Sequence, residues 1–247
     1  MKLFKSLLAQ IAVRRHPDKA ESWVKLGLAH VHRGRRPSNP DFDATLRPGG
    51  NLHPDYFAAA ISAYQHAISL KPDCAEAWAC LGRAYMLRFR RGYFFGDTRL
   101  EEDLSDENQQ GLQIAVDALK NATRIEPNNS ILWNDLGFAY SQVDRFDGEI
   151  NAYHQDIKVQ PECKTAWHNL TTSYYNQKDW EKLVRLCKEA LDRTPFQAHI
   201  WSDLGYANLQ LGRFEDAKRA YNQAKSLTPS AIKRLTVLVR RSLDRLT

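Results

Sequence analysis

Several features are missing from this sequence, and each absence narrows what the chain can be. It has no Gly-rich phosphate loop, no nucleophile elbow and no paired-ligand histidine motif, so no catalytic constellation stands out. The four cysteines, Cys74, Cys80, Cys163 and Cys187, lack metal-ligand spacing and read as reduced thiols of a cytoplasmic protein. No apolar run approaches the length of a membrane span. The run from Leu7 to Val13 is short, contains Gln10 and leads into Arg14-Arg15-His16-Pro17 with no small-residue cleavage site. It therefore reads as a helix and not as a signal peptide. Glycine is sparse, 12 in 247 residues, and the apolar share is 43%, which argues for a packed chain over a disordered one. The net charge of +6, from 35 basic and 29 acidic residues, is mild. It permits an acidic partner without demanding nucleic acid.

What is present is a period. Trp133, Trp167 and Trp201 are 34 residues apart, and Trp23, Trp78 and Trp133 are 55 apart. Each is followed three residues on by leucine: Leu26, Leu81, Leu136, Leu170 and Leu204. Glycine comes next in four of the five, at Gly27, Gly82, Gly137 and Gly205, with Thr171 in the other. Trp and Leu at that spacing share one helix face, and a neighbouring glycine lets a second helix come close. That second helix shows as Phe214, Ala217, Tyr221 and Ala224. Each unit closes at proline, at Pro72, Pro127, Pro161, Pro195 and Pro229, and Pro17 closes a lone leading helix. The remaining prolines, Pro37, Pro40, Pro48 and Pro54, cluster in one stretch. Cys187 falls in the column of Tyr64, Tyr153 and Tyr221 and is expected to be a small buried hydrophobe.

These residues match W-x2-L-G-x2-Y, then A-x3-F/Y-x2-A, then P, and the chain resembles the tetratricopeptide repeat family. The resemblance implies an all-α, right-handed solenoid of five helix-turn-helix units with a concave inner face. The expected organisation is one continuous domain over 1–247, with repeats near 20–73, 75–128, 130–162, 164–196 and 198–229. Residues 2–15, with Leu3, Phe4, Leu7, Leu8 and Ile11 on one side, read as a half-repeat that caps the array. Residues 230–247 read as the solvating cap helix, with Lys233, Arg234, Arg240, Arg241 and Arg245 off its apolar face.

The first two repeats each carry 21 extra residues between their helices, roughly Arg36–Tyr56 and Arg91–Gly111. The first extra segment has the turn signal Pro48-Gly49-Gly50-Asn51. The second runs from aromatic (Tyr93, Phe94, Phe95) to acidic (Asp97, Glu101, Glu102, Asp103, Asp106, Glu107). A padded edge and a paired lid over the groove are both open readings; Phe42, Phe94 and Phe95 favour order. Repeat three departs in another way. Glu149 and Asp156 stand where the other repeats have small residues; either the helix is slightly rotated, using Gly148 and Ala152, or the acids find cationic or hydrogen-bonding partners, and the first is favoured.

The resemblance also places the inner surface on the first helix of each repeat, away from the Trp-Leu stripe. Repeats one and two then offer Val24, Lys25 and Leu28, and Ala79, Cys80, Arg83 and Met86. Repeat three offers Asn134, Asp135, Phe138, Ser141 and Gln142. Repeat four offers His168, Asn169, Thr172, Tyr175 and Asn176, and repeat five His199, Ser202, Asp203 and Tyr206. The candidate peptide-binding residues are Asn134, Asp135, Phe138, His168, Asn169, Tyr175, Asn176, Ser202, Asp203 and Tyr206. Asp135, Asn169 and Asp203 form a ladder of oxygen acceptors for the N–H groups of an extended peptide, flanked by aromatics. Val24, Leu28 and Asn134 stand where family members that grip chaperone tails carry a basic clamp, so that specificity is not supported. His168 and His199 are expected to be neighbours that line the groove, and His30 and His32 point to different helix faces. No metal, no cofactor and no catalytic residue is assigned. The expected function is a non-enzymatic module that binds a protein or peptide segment. A self-assembling homo-oligomer built through residues 2–15 or the insertions is the alternative. Nucleic acid and membrane are not expected partners.

Overall fold

A computed structural model describes residues 2–34, 54–89, 106–195 and 197–228. Eleven helices and no strand occur among the described residues. They are α1 (Lys2–Arg15), α2 (Ala20–Gly34), α3 (Pro54–Leu70), α4 (Ala75–Phe89), α5 (Asp106–Ile125), α6 (Ser130–Gln142), α7 (Phe146–Val159), α8 (Lys164–Asn176), α9 (Trp180–Arg193), α10 (Ala198–Gln210) and α11 (Phe214–Leu227). None of them is long and apolar enough to cross a membrane.

The chain divides into two compact units, Met1–Ala152 and Tyr153–Thr247. In the first, α2 pairs with α3 and α4 with α5, while α2, α4 and α6 touch in succession. In the second, α8 pairs with α9 and α10 with α11, and α8 touches α10. Each unit is an all-α solenoid of helix pairs, each resting on the next.

Two local devices make the repeats. The first is the junction between them. Helices α1, α3, α5 and α7 end in a tight turn with proline at its second position. It is closed by Lys19 N–H to His16 O (3.2 Å), Cys74 to Lys71 (3.1 Å), Asn129 to Glu126 (3.2 Å) and Cys163 to Gln160 (3.0 Å). The proline carbonyl is then free to accept the indole N–H of the tryptophan six residues on. Trp23 donates to Pro17 (2.8 Å), Trp78 to Pro72 (2.8 Å), Trp133 to Pro127 (2.7 Å), Trp167 to Pro161 (2.8 Å) and Trp201 to Pro195 (3.0 Å). The second device joins the two helices within a compact repeat. Asp144, Lys178 and Gly212, 34 residues apart, adopt φ of 54°, 58° and 72°. The residue after each donates back over a wide turn, Arg145 to Tyr140, Asp179 to Tyr174 and Arg213 to Asn208. This is the Schellman helix stop.

The small-residue positions do what their spacing suggests. A Cβ on Gly27 would stand 2.4 Å from the Tyr64 ring, and one on Gly205 would stand 2.9 Å from Tyr221. Ala60, Ala67, Ala115, Ala122, Ala190 and Ala224 are wholly buried, as is Cys187. Repeat three keeps the same phase: Tyr153 and Asp156 are 3% and 1% exposed. The helix is therefore not turned to free its acid, and the Asp156 carboxyl is carried inside in the slot that alanine fills elsewhere. Glu149 is half-buried, and Gly148 lies under the Tyr140 ring.

Three expectations change. Helix α5 starts at Asp106, inside the stretch read as insertion, because Asp106 and Glu107 complement a helix N-terminus while apolar periodicity begins only at Gly111. Helix α3 starts at Pro54, which suits a first helical turn. Helix α1 buries Ser6 and Ala9 and leaves Leu7 and Leu8 exposed (53% and 48%), so small residues and not the leucines form its close contact. The rest of both insertions, including Phe42, Phe94 and Phe95, lies outside the described residues, as do Pro229, the cap helix 230–247 and the side chains of Leu3 and Phe4.

The left-handed residues give a stability test of opposite signs. Lys178→Gly relieves a β-carbon clash and should stabilise the chain by about 0.5–1 kcal/mol after the entropy cost of glycine. Gly212→Ala should cost about 1 kcal/mol, since open space surrounds its Cβ and only φ is at stake. Chemical denaturation of both variants checks the pair.

Candidate functional site

The inner positions of the first unit are mostly closed. Val24, Ala79, Cys80 and Met86 are 2%, 2%, 5% and 5% exposed and pack in the core, as does Gln142 at 1%. They do not line a groove. The helical spacing was right, but these residues face the neighbouring helix at the edge of the inner stripe. Asn134 and Asp135 are half-buried and Phe138 is 41% exposed. Asp135 is not bare. Arg83, from the preceding first helix, places Nε 2.6 Å and Nη2 2.5 Å from its Oδ2. Burial raises the Asp135 pKa, and the guanidinium pulls against that rise.

The second unit holds the other seven candidates and brings most of them together. The rings of Tyr175 and Tyr206 meet at a tilt of 43°, 5.0 Å between centroids, and both touch Trp180, at 5.8 and 5.6 Å. Tyr175 is 36% exposed and its hydroxyl bonds Tyr206. His168 and His199 meet edge to face at 4.7 Å. Burial lowers the pKa of both imidazoles, and His168 adds to the effect on His199, which falls to about 4. The pair is neutral at pH 7. Asn169 is half-buried, and its backbone carbonyl accepts the Ser173 hydroxyl (2.9 Å). The Ser202 hydroxyl donates to Ala198 O (3.0 Å), inside its own helix, and Asn176 is exposed at the end of α8. Among the described residues no group of three metal-ligating side chains occurs.

Asp203 is the unusual member. Burial pushes its carboxyl up to about 6, offset only by the Thr171 hydroxyl. Its charge in turn raises Tyr175, Tyr221 and Cys187, each of which is already raised mainly by burial. The Tyr221 hydroxyl is buried and makes no hydrogen bond to the protein.

Sequence reasoning missed Trp180 and Arg83–Asp135. Trp180 lies outside the repeat pattern. The ion pair could have been found from opposite charges at facing positions of successive repeats. It also missed a cleft of about 660 Å³ elsewhere in the first unit, lined by Asp117, Lys120, Arg124, Trp133, Tyr140 and Asn151. That cleft holds none of the candidate residues.

Comparison with known proteins agrees with this architecture. A family model described as the tetratricopeptide repeat matches residues 198–231. Protein FlbA of Caulobacter vibrioides is 26% identical over 185 residues, 67% of this chain and 30% of that protein. The peroxisomal targeting signal receptor of Candida albicans is 24% identical over 223 residues, 87% of this chain and 37% of the receptor. The chain thus spans about a third of the length of these relatives. Among solved structures, YrrB, a tetratricopeptide-repeat protein with an unusual peptide-binding site, superposes with a TM-score of 0.63 at 12% identity, covering 94% of this chain and 97% of its own. Residues 198–231 thus match the tetratricopeptide repeat, and the chain has the fold of tetratricopeptide-repeat proteins.

Asp203 supplies a stability test. Its raised pKa means that the unfolded chain loses this proton near pH 4 while the folded chain keeps it to about pH 6. Its contribution to stability therefore falls as pH rises from 4 to 6. Asp203→Asn should gain about 1–3 kcal/mol at pH 7, and that gain should vanish below pH 4. His199 works in the opposite sense, losing stability as pH falls from about 6.5 to 4, so the two oppose each other in the native chain. Urea denaturation of the variant and parent at several pH values isolates the aspartate.

Proposed function

We propose that the chain binds an extended peptide or protein segment along the inner face of its first helices, without catalysis. The observation that carries the reading is the exposed polar and aromatic surface of α8 and α10. Tyr175 and Tyr206 supply rigid contact area, and Asn169 and Asp203 supply acceptors for peptide N–H groups. The proposed binding residues are Asn134, Asp135 and Phe138 in the first unit and His168, Asn169, Tyr175, Asn176, Ser202, Asp203 and Tyr206 in the second. Asp135 enters as part of its ion pair with Arg83. The similarity to a targeting signal receptor and to a peptide-binding repeat protein supports a peptide partner. The four free cysteines suit a reducing compartment, and the cytoplasm is the proposed location.

One observation favours a second reading, self-assembly through α1: Leu7 and Leu8 stand exposed on its surface. A random-peptide display selection on the full chain tests the first reading. Peptides should be recovered, and Asn169→Ala/Tyr175→Ala/Tyr206→Ala should weaken them at least about tenfold while circular dichroism stays unchanged. Recovered peptides that bind this variant as well as the parent count against the groove. In light scattering over a concentration series the mass should stay that of one chain. Growth in mass that Leu7→Glu abolishes would favour assembly instead.

A further inference from the structure

Asp135 and Asp203 occupy the same repeat position, two residues after Trp133 and Trp201. In the preceding repeat the residue that can be compared lies five positions after its own tryptophan. That position is Arg83 for Asp135 and Thr172 for Asp203. In the first case the chain fills the site itself, with the guanidinium of Arg83 on the Asp135 carboxylate at 2.5–2.6 Å. In the second case the Thr172 hydroxyl turns back to His168 O at 2.8 Å, and the hydroxyl that meets Asp203 is that of the neighbouring Thr171. Among the described residues no lysine or arginine forms an ion pair with Asp203. The same carboxylate therefore stands with its guanidinium in one repeat and without one in another.

The surroundings of Asp203 suit a cation brought from outside. The rings of Tyr175 and Tyr206 lie together beside it and are themselves backed by Trp180, and a cation is attracted to such ring faces. The buried Tyr221 hydroxyl, close enough to feel the Asp203 charge, has an unused acceptor. His199, one helical turn before Asp203, and its neighbour His168 are held neutral and add no competing positive charge.

We infer that the inner face of α8 and α10 takes an arginine or lysine side chain of the bound segment, its cation paired with the Asp203 carboxylate and resting on the rings of Tyr175 and Tyr206. This rests on the peptide-groove reading and names the chemistry that the groove selects. An internal precedent, Arg83 on Asp135, favours arginine, whose planar fork suits a carboxylate.

The peptides recovered by display on the full chain provide the test. They should be enriched for arginine or lysine at one position. Replacing that arginine by citrulline, its neutral isostere, should weaken binding roughly tenfold or more, and so should Asp203→Asn. The citrulline peptide should lose nothing further on the Asp203→Asn variant, because the two changes remove the same interaction. Thr172→Arg, which rebuilds the internal pair, should block the arginine peptide, while Thr172→Met, of similar bulk and no charge, should not. Peptides that depend on Tyr175 and Tyr206 but show no basic preference would overturn this inference and leave the groove standing. An arginine preference that survives Asp203→Asn would also overturn it. Recovery of no peptide at all would overturn both.

Discussion

Five indole N–H groups each reach back to the carbonyl of a proline six residues earlier, and the rest of the architecture depends on that contact. The proline belongs to the turn that ends one helix pair, and the tryptophan to the first turns of the next. The bond therefore fixes the angle at which each pair leaves its predecessor. It uses a carbonyl that the proline turn leaves over and a donor that would otherwise be poorly placed beside apolar surface. The ring that carries the donor also packs: Trp167 is 1% exposed, and Trp23 lies 4.1 Å from the His66 ring.

Fixing that angle sets what the inner face can do. Arg83 and Asp135, five residues after Trp78 and two after Trp133, face each other across successive repeats. A repeat can satisfy that facing pair from within or leave it open, and the choice turns on single residues such as Arg83 or Thr172. In one repeat the aspartate meets a guanidinium, and in another it lies buried with a threonine hydroxyl, close to aromatic rings.

The repeat was legible because its markers are large or conformationally special. Tryptophan, Leu-Gly and proline at fixed spacing each answer to one physical demand, and the five units follow it with a single exception, Thr171 in place of glycine. The meeting of His168 and His199 followed from the same register. Less visible were features that depend on contacts and not on pattern. The left-handed stop showed in sequence only at Gly212, because Asp144 and Lys178 adopt the same φ without announcing it. The start of α5 was hidden because its first turn is polar throughout. Helix α1 misled because its leucines suggested a buried face, while the close approach is made by Ser6 and Ala9. For Asp156 the favoured of two readings, a rotated helix, did not hold, because the fold buries the carboxyl in the slot that alanine fills elsewhere.

The most direct measurement uses the chain's own control. Six tryptophans are present, and Trp180 lies outside the repeat register, with no proline six residues before it. Solvent exchange of the six indole N–H protons, followed by proton–nitrogen correlation spectra, should show Trp23, Trp78, Trp133, Trp167 and Trp201 protected and Trp180 exchanging fast. Six indoles exchanging at one common rate would contradict the account, because no clasp would then join one helix pair to the next.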